Sequence, residues 1–246
     1  MIEQLYKCFQ HWSEEGTVWI YSDPHFNDEE AAGYGRISDE EQIKLINSKV
    51  GKKDTIICLG DVGDTSFIHR IKGYKVLICG NHDLGASNYQ RQITHIKFDF
   101  NKYSKEEAIK LVKEKYPNAA IEVEERHNLA CSPFHFWSIK IDNKLFDEVY
   151  TGPLFIGERL LLSHEPIDFP FALNLHGHCH NGQTTPHHIN CCSNVINYTP
   201  INLNQLLKTG VLSKIEIWSK ERWEMNDSYD NMDEIAEHMS EFGLSF

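Results

Sequence analysis

Five times in this sequence a short apolar run stops at a cluster of Asp, Asn or His. Val18–Tyr21 leads into Asp23-Pro24-His25, Thr55–Leu59 into Gly60-Asp61, and Lys75–Cys79 into Gly80-Asn81-His82-Asp83. Leu160–Leu162 then leads into Ser163-His164, and Leu173–Leu175 into His176-Gly177-His178-Cys179-His180. Continuous runs of three to five apolar residues suit strands covered on both faces, the pattern of a largely parallel sheet. Helix signals lie between them. Ser38 with Glu41, and Ser104 with Glu107, have capping-box spacing, Gly51 and Pro117 close those helices, and Asn202 is placed to cap another. The expected class is therefore α/β. In such folds the loops after the strands gather at one edge, so clusters far apart in sequence can converge.

The composition narrows what that edge can bind. The 246 residues carry 24 Lys and Arg against 36 Asp and Glu, a formal charge of −12. Such a chain has no broad positive field, so nonspecific nucleic-acid binding and anionic-membrane binding are not expected. Hydrophobic residues at 41% provide for a packed core, and no apolar run reaches the roughly 20 residues of a membrane span. The first residues lack the apolar stretch and cleavage site of a secretion signal. Seven cysteines, several inside apolar runs, fit buried thiols in a reducing compartment, so a cytoplasmic location is expected.

The clusters supply carboxylates, imidazoles and one carboxamide but no thiolate in the expected ligand set. That mixture suits borderline divalent metals rather than a Cys-rich structural zinc. Seven candidate ligands exceed the needs of one tetrahedral ion, and two ions sharing one carboxylate is the economical arrangement. The five motifs, in this order, resemble the calcineurin-like metallophosphoesterase superfamily, in particular its small bacterial and phage phosphoesterases. The resemblance runs from about residue 18 to 180 and is interrupted between about 96 and 145.

That resemblance implies a four-layer α/β/β/α sandwich with a dinuclear metal site at the strand C-terminal ends. It implies one metal on Asp23, His25 and His180, a second on Asn81, His164 and His178, and Asp61 bridging the two. The ions would be Mn, Fe, Zn or Ni, with Mn or Fe the first choice. His82 would assist the leaving group as a general acid and Asp83 would orient its ring. The implied function is hydrolysis of a phosphodiester or phosphomonoester of a small soluble substrate, possibly a nucleotide, by a metal-bridging hydroxide. The alternative is a non-catalytic scaffold of the same fold acting as a protein-binding module. After Asp61 the sequence runs Val62-Gly63-Asp64, without the Asp-Arg-Gly signature of the family's protein phosphatases.

The expected organisation is a main domain over 1–218, with the 96–145 insertion as a candidate cap, and an acidic tail over 219–246. Arg36, Arg70 and Arg91 lie close to motif loops in sequence and are candidates to clamp an anion.

Overall fold

The computed structural model describes residues 16–29, 36–83, 87–117, 119–127, 135–157 and 159–215. The chain divides into two compact units, 1–215 and 216–246. The acidic tail expected over 219–246 and the N-terminal residues read for a secretion signal lie outside the described residues. In chain order the elements are β1 (Val18–Tyr21), α1 (Asp39–Lys49), β2 (Thr55–Cys58), a 3-10 turn (Thr65–Arg70), β3 (Tyr74–Ile78), α2 (Ser87–Gln90), β4 (Arg91–Asp99), α3 (Lys105–Lys115), β5 (Ala120–His127) and β6 (His135–Lys144). There follow β7 (Glu148–Tyr150), β8 (Leu154–Ile156), β9 (Leu160–Leu162), β10 (Leu173–His176), β11 (His188–Asn190), β12 (Ile201–Asn202), α4 (Leu203–Lys208) and a 3-10 turn (Val211–Lys214).

The strands form three sheets. The first has the order β12-β1-β2-β3-β7 and is parallel except for β12. The second has the order β11-β10-β9-β8 and is parallel except for β8. Alternation along each strand divides the apolar side chains between two cores. Ile20, Ile57, Leu59, Val76 and Ile78 of the first sheet meet Leu160, Leu162, Leu173 and Leu175 of the second. The opposite face of the first sheet, with Ile56, Cys58 and Leu77, packs on Ile43 and Ile46 of α1. That helix starts where expected, since Ser38 and Glu41 cap each other's backbone reciprocally.

The expected four-layer sandwich is corrected here. Among the described residues the outer face of the second sheet is covered by the segment 163–172 rather than by a helix. Pro166 and Pro170 prevent a regular helix in that segment. Asn174, fully buried on β10, fixes it instead, accepting from the Ile167 amide at 2.8 Å and donating to Ser163 Oγ at 2.9 Å. The body is therefore α/β/β. A third, antiparallel sheet, β4-β6-β5, has its own core, with Ala108 and Val112 of α3 packed on Ile139 and Ile141 of β6. It begins at Arg91, earlier than the expected insertion boundary of 96. Its helix ends against the 3-10 turn before β3, with the Tyr116 and His69 rings 5.7 Å apart. That contact is at the start of β3, whereas the motif residues follow its end, so this end of α3 does not cap them.

Candidate functional site

Each strand ends by turning sharply, and the turns use backbone that L-residues rarely adopt. Asp23, His25, Asp61 and His178 all have positive φ, between 43° and 64°. Positive φ outside glycine costs energy, and its concentration at four motif residues is the mark of a site held by its surroundings. The turns brace one another. The Asp23 amide donates to Gly60 O at 3.0 Å, and the His25 amide to Asp61 O at 3.1 Å. Gly60, at φ 105°, lies so close to Gly80 and the His164 ring that a Cβ would come within 2.6 Å of both.

The arrangement brings together two groups, Asp23/His25/His180 and Asp61/His164/His178, whose donor atoms in each lie within 4.8 Å of one another. His164 Nδ1 donates to Leu59 O at 2.8 Å, so in the neutral ring the Nε2 lone pair points inward. That Nε2 stands 3.3 Å from Asp61 Oδ2, 3.3 Å from His178 Nδ1 and 2.8 Å from Asn81 Oδ1. His25 Nδ1 faces Asp28 at 3.1 Å, and its Nε2 is buried with no hydrogen-bond partner, 3.9 Å from Asp23 and 3.8 Å from Asp61. His180 Nδ1 faces Asn194 Oδ1 at 3.1 Å, leaving Nε2 3.8 Å from Asp23. Three rings are thus fixed from outside with their inner nitrogens aimed at two buried carboxylates. Asp61 Oδ2 lies between the groups, while its Oδ1 accepts the His82 amide at 3.0 Å.

Acceptors gathered this closely need a proton or a cation among them. Burial pushes the His164 imidazolium down, but the Asp61 hydrogen bond and the Asp23 and Asp61 charges outweigh it and raise its pKa to about 9. Burial pushes Asp61 up, yet its bonds to His164 and to the His82 amide bring it below the usual carboxylate range.

Two expectations about individual residues change. Asp83 does not orient the His82 ring. Its carboxylate accepts the backbone amides of Gly80 and Asp61 at 2.8 Å each and of Val62 at 3.1 Å, tying two motif loops together. His82 is exposed, its ring 5.8 Å from that of His25. Of the three arginines only Arg36 lines the cavity with Asp23, His25 and His180. Arg70 is paired with Glu40 and Arg91 with Asp142, away from the motif loops. Asp28, Asn194 and Ser193, whose hydroxyl donates to Asp23 O at 2.6 Å, hold the cluster residues in place. They follow no apolar run and stood out in no motif.

No family model matches the chain. The curated relatives are proteins named Transcriptional regulator MraZ. That of Lachnoclostridium phytofermentans is 92% identical over 37 residues, which is 15% of this chain and 26% of that protein. That of Clostridium acetobutylicum is 50% identical over 52 residues, 21% of this chain and 36% of that protein. The chain thus spans about a quarter to a third of the length of these relatives. A crystal structure of the protein of unknown function AQ665 from Aquifex aeolicus aligns with a TM-score of 0.45 at 18% identity, over 78% of this chain and 98% of that one.

These relatives correct the resemblance to the calcineurin-like metallophosphoesterases. With regulators as the curated relatives and no family model matching, the assignment to that superfamily is withdrawn. So are the fold it implied, the phosphate-ester hydrolase activity, the catalytic pair of divalent ions, the small phosphorylated substrate and the argument against nucleic acid. The matched stretches of 37 and 52 residues are much shorter than the span from Asp23 to His180, and so bear on part of the chain. Among the described residues no helix is long and apolar enough to cross a membrane.

Proposed function

We propose that this chain is a non-catalytic regulatory protein whose Asp/His cluster takes up a divalent cation as a signal. The observation that carries the reading is the convergence of the inner nitrogens of His25, His164 and His180 on the buried carboxylates of Asp23 and Asp61. Nitrogen and oxygen donors held by outer hydrogen bonds are the ordinary requirement for such an ion. His178 and Asn81 complete the second group, with Nδ1 and Oδ1 3.0 Å apart. The regulatory half of the proposal draws on the names of the relatives, which are transcriptional regulators. Binding an ion in place of a proton would lock the turns after β1, β2, β3 and β10 to one another, a change a regulator could transmit. The partner that goes with this reading is duplex DNA.

Retention of sheared genomic duplex by the full chain, measured with and without Mn²⁺, tests the proposal. Mn²⁺-dependent retention that His164→Ala abolishes is the expected result. Failure to retain duplex in either condition would overturn it. So would Mn²⁺-dependent hydrolysis of a chromogenic phosphate mono- or diester by the wild type but not by His164→Ala.

A further inference from the structure

At the opposite end of the first sheet, where β3 begins, the 3-10 turn, the residues before β3 and the last turn of α3 enclose an open cavity of about 820 Å³. None of its lining residues belongs to the Asp/His cluster. Lys52, Lys72, Lys75 and Lys115 line it, and none of the four forms an ion pair among the described residues. The acids nearby are already engaged. Glu114 stands 4.0 Å from Lys110, Asp147 pairs with Lys144 and accepts the Lys75 amide, and Glu40 holds Arg70. The nearest acceptors for the ammonium groups are neutral carbonyls, Asn47 O at 3.2 Å from Lys72 and Ile71 O at 3.5 Å from Lys75. Burial is the larger effect on Lys75 and lowers its pKa despite the charge of Asp147.

Four ammonium groups without an acid partner line one cavity, and in a chain of charge −12 they are a local excess of positive charge. A compact ligand with several negative charges would pair with them. The cavity is the size of a typical small-molecule site, about 300–1,000 Å³. Tyr116 and Phe67 add apolar ring surface to its wall.

We propose that this groove binds a small molecule through a polyphosphate chain, with Lys52, Lys72, Lys75 and Lys115 as the phosphate contacts. The chain could belong to inorganic polyphosphate or to a nucleoside polyphosphate, whose base would lie against Tyr116. This inference does not depend on the cation reading of the Asp/His cluster.

Calorimetric titration of the full chain in EDTA with tripolyphosphate, and separately with ATP, tests it. Both ligands should saturate, and the exposed triple reversal Lys52→Glu/Lys72→Glu/Lys115→Glu should weaken both by about ten-fold or more. Tighter binding of ATP than of tripolyphosphate identifies a nucleotide site, and equal affinity a site for the phosphate chain alone; either supports the groove. The α1 reversal Lys44→Glu/Lys49→Glu and the variant His164→Ala should bind like the wild type. If the triple variant loses its fold by circular dichroism, Lys72→Gln and Lys115→Gln, each expected to weaken binding about three-fold, replace it. Absence of saturation by about 1 mM would overturn the proposal. Equal weakening by the α1 reversal would do so too, as would loss of binding in His164→Ala, which would move the anion to the Asp/His cluster.

Discussion

The two ends of the first sheet are built on opposite electrostatic plans. After the strands, buried carboxylates face imidazole nitrogens, and the rings of His25, His164 and His180 are braced by an acid, a carbonyl and an amide outside the cluster. Before the strands, lysines line an open cavity, and their charges are left without acids. The first end is ordered by the protein's own hydrogen bonds and carries the proposed cation site. The second has spare positive charge and room for an anion. A chain of net charge −12 can therefore hold two local fields of opposite sign, and neither can be deduced from the total.

The difference is sharpest if the Asp/His end is broken first. Asp61→Asn keeps the shape of the side chain and removes the charge facing both His164 and His25. Mn²⁺ affinity measured by calorimetry should fall about 100-fold, with the polyphosphate affinity of the groove unchanged. A parallel fall at both ends would show that they are coupled and that the contrast between them is false. Asp54, at the groove end, is expected to matter for folding instead. Its carboxylate accepts the Gly51 amide at 2.7 Å, the Thr17 amide at 2.9 Å and Trp19 Nε1 at 3.1 Å. Asp54→Ala leaves three donors unpaired and should cost about 2 kcal/mol in denaturant unfolding. Burial pushes the Asp54 carboxyl up, but those donors win and hold it below the usual carboxylate range. A lowered folded pKa means that the stabilisation is complete above about pH 4 and is lost as the pH falls further. An Asp54→Ala protein as stable as the wild type at pH 7 would remove this carboxylate as the anchor of that end.

A smaller effect is expected from Asn194, which accepts from His180 Nδ1 and donates to His180 O at 2.8 Å. Asn194→Ala frees the ring without removing a ligand atom and should weaken Mn²⁺ binding about ten-fold. Unchanged affinity would show that the outer bonds do not set the geometry of the cluster.

The unequal legibility of the two ends has a physical origin. Asp23, Asp61, Asn81, His164 and His178 each follow an apolar run by a few residues, so an α/β reading places them at strand ends without knowledge of contacts. Their bracing partners Asp28, Asn194 and Leu59 O act through turn geometry, which carries no periodic signal. Asp83 was misread because adjacency to His82 suggested a side-chain pair, whereas the Gly80-to-Asp83 turn aims its carboxylate at backbone amides. The groove was invisible for another reason. Lys52, Lys72 and Lys115 come from three separate segments and look like ordinary solvated charges until α3 folds back onto the start of β3. The helix layer expected on the second sheet is absent among the described residues because Pro166 and Pro170 interrupt the segment that covers it.

The smallest expected effect distinguishes the two ends by pH. His69 lies in the groove wall with Nδ1 buried. Burial is the main cause that lowers its pKa below 6.5, and the charges of Arg70 and Lys75 lower it further, against the opposing bonds to the backbone at Ser66 and Lys115. The unfolded chain then binds its proton more readily than the folded one, so stability declines as the pH falls below about 6.5. Replacing the titrating ring by His69→Gln should flatten that decline between pH 7 and pH 5, as read from urea midpoints at the two values. His164, whose pKa is raised to about 9 at the other end, acts with the opposite sign: its stabilisation is complete below about pH 6.5 and is lost as the pH rises. An unaltered slope in His69→Gln would show that this ring does not set the pH dependence and that the groove accepts a further positive charge at no cost.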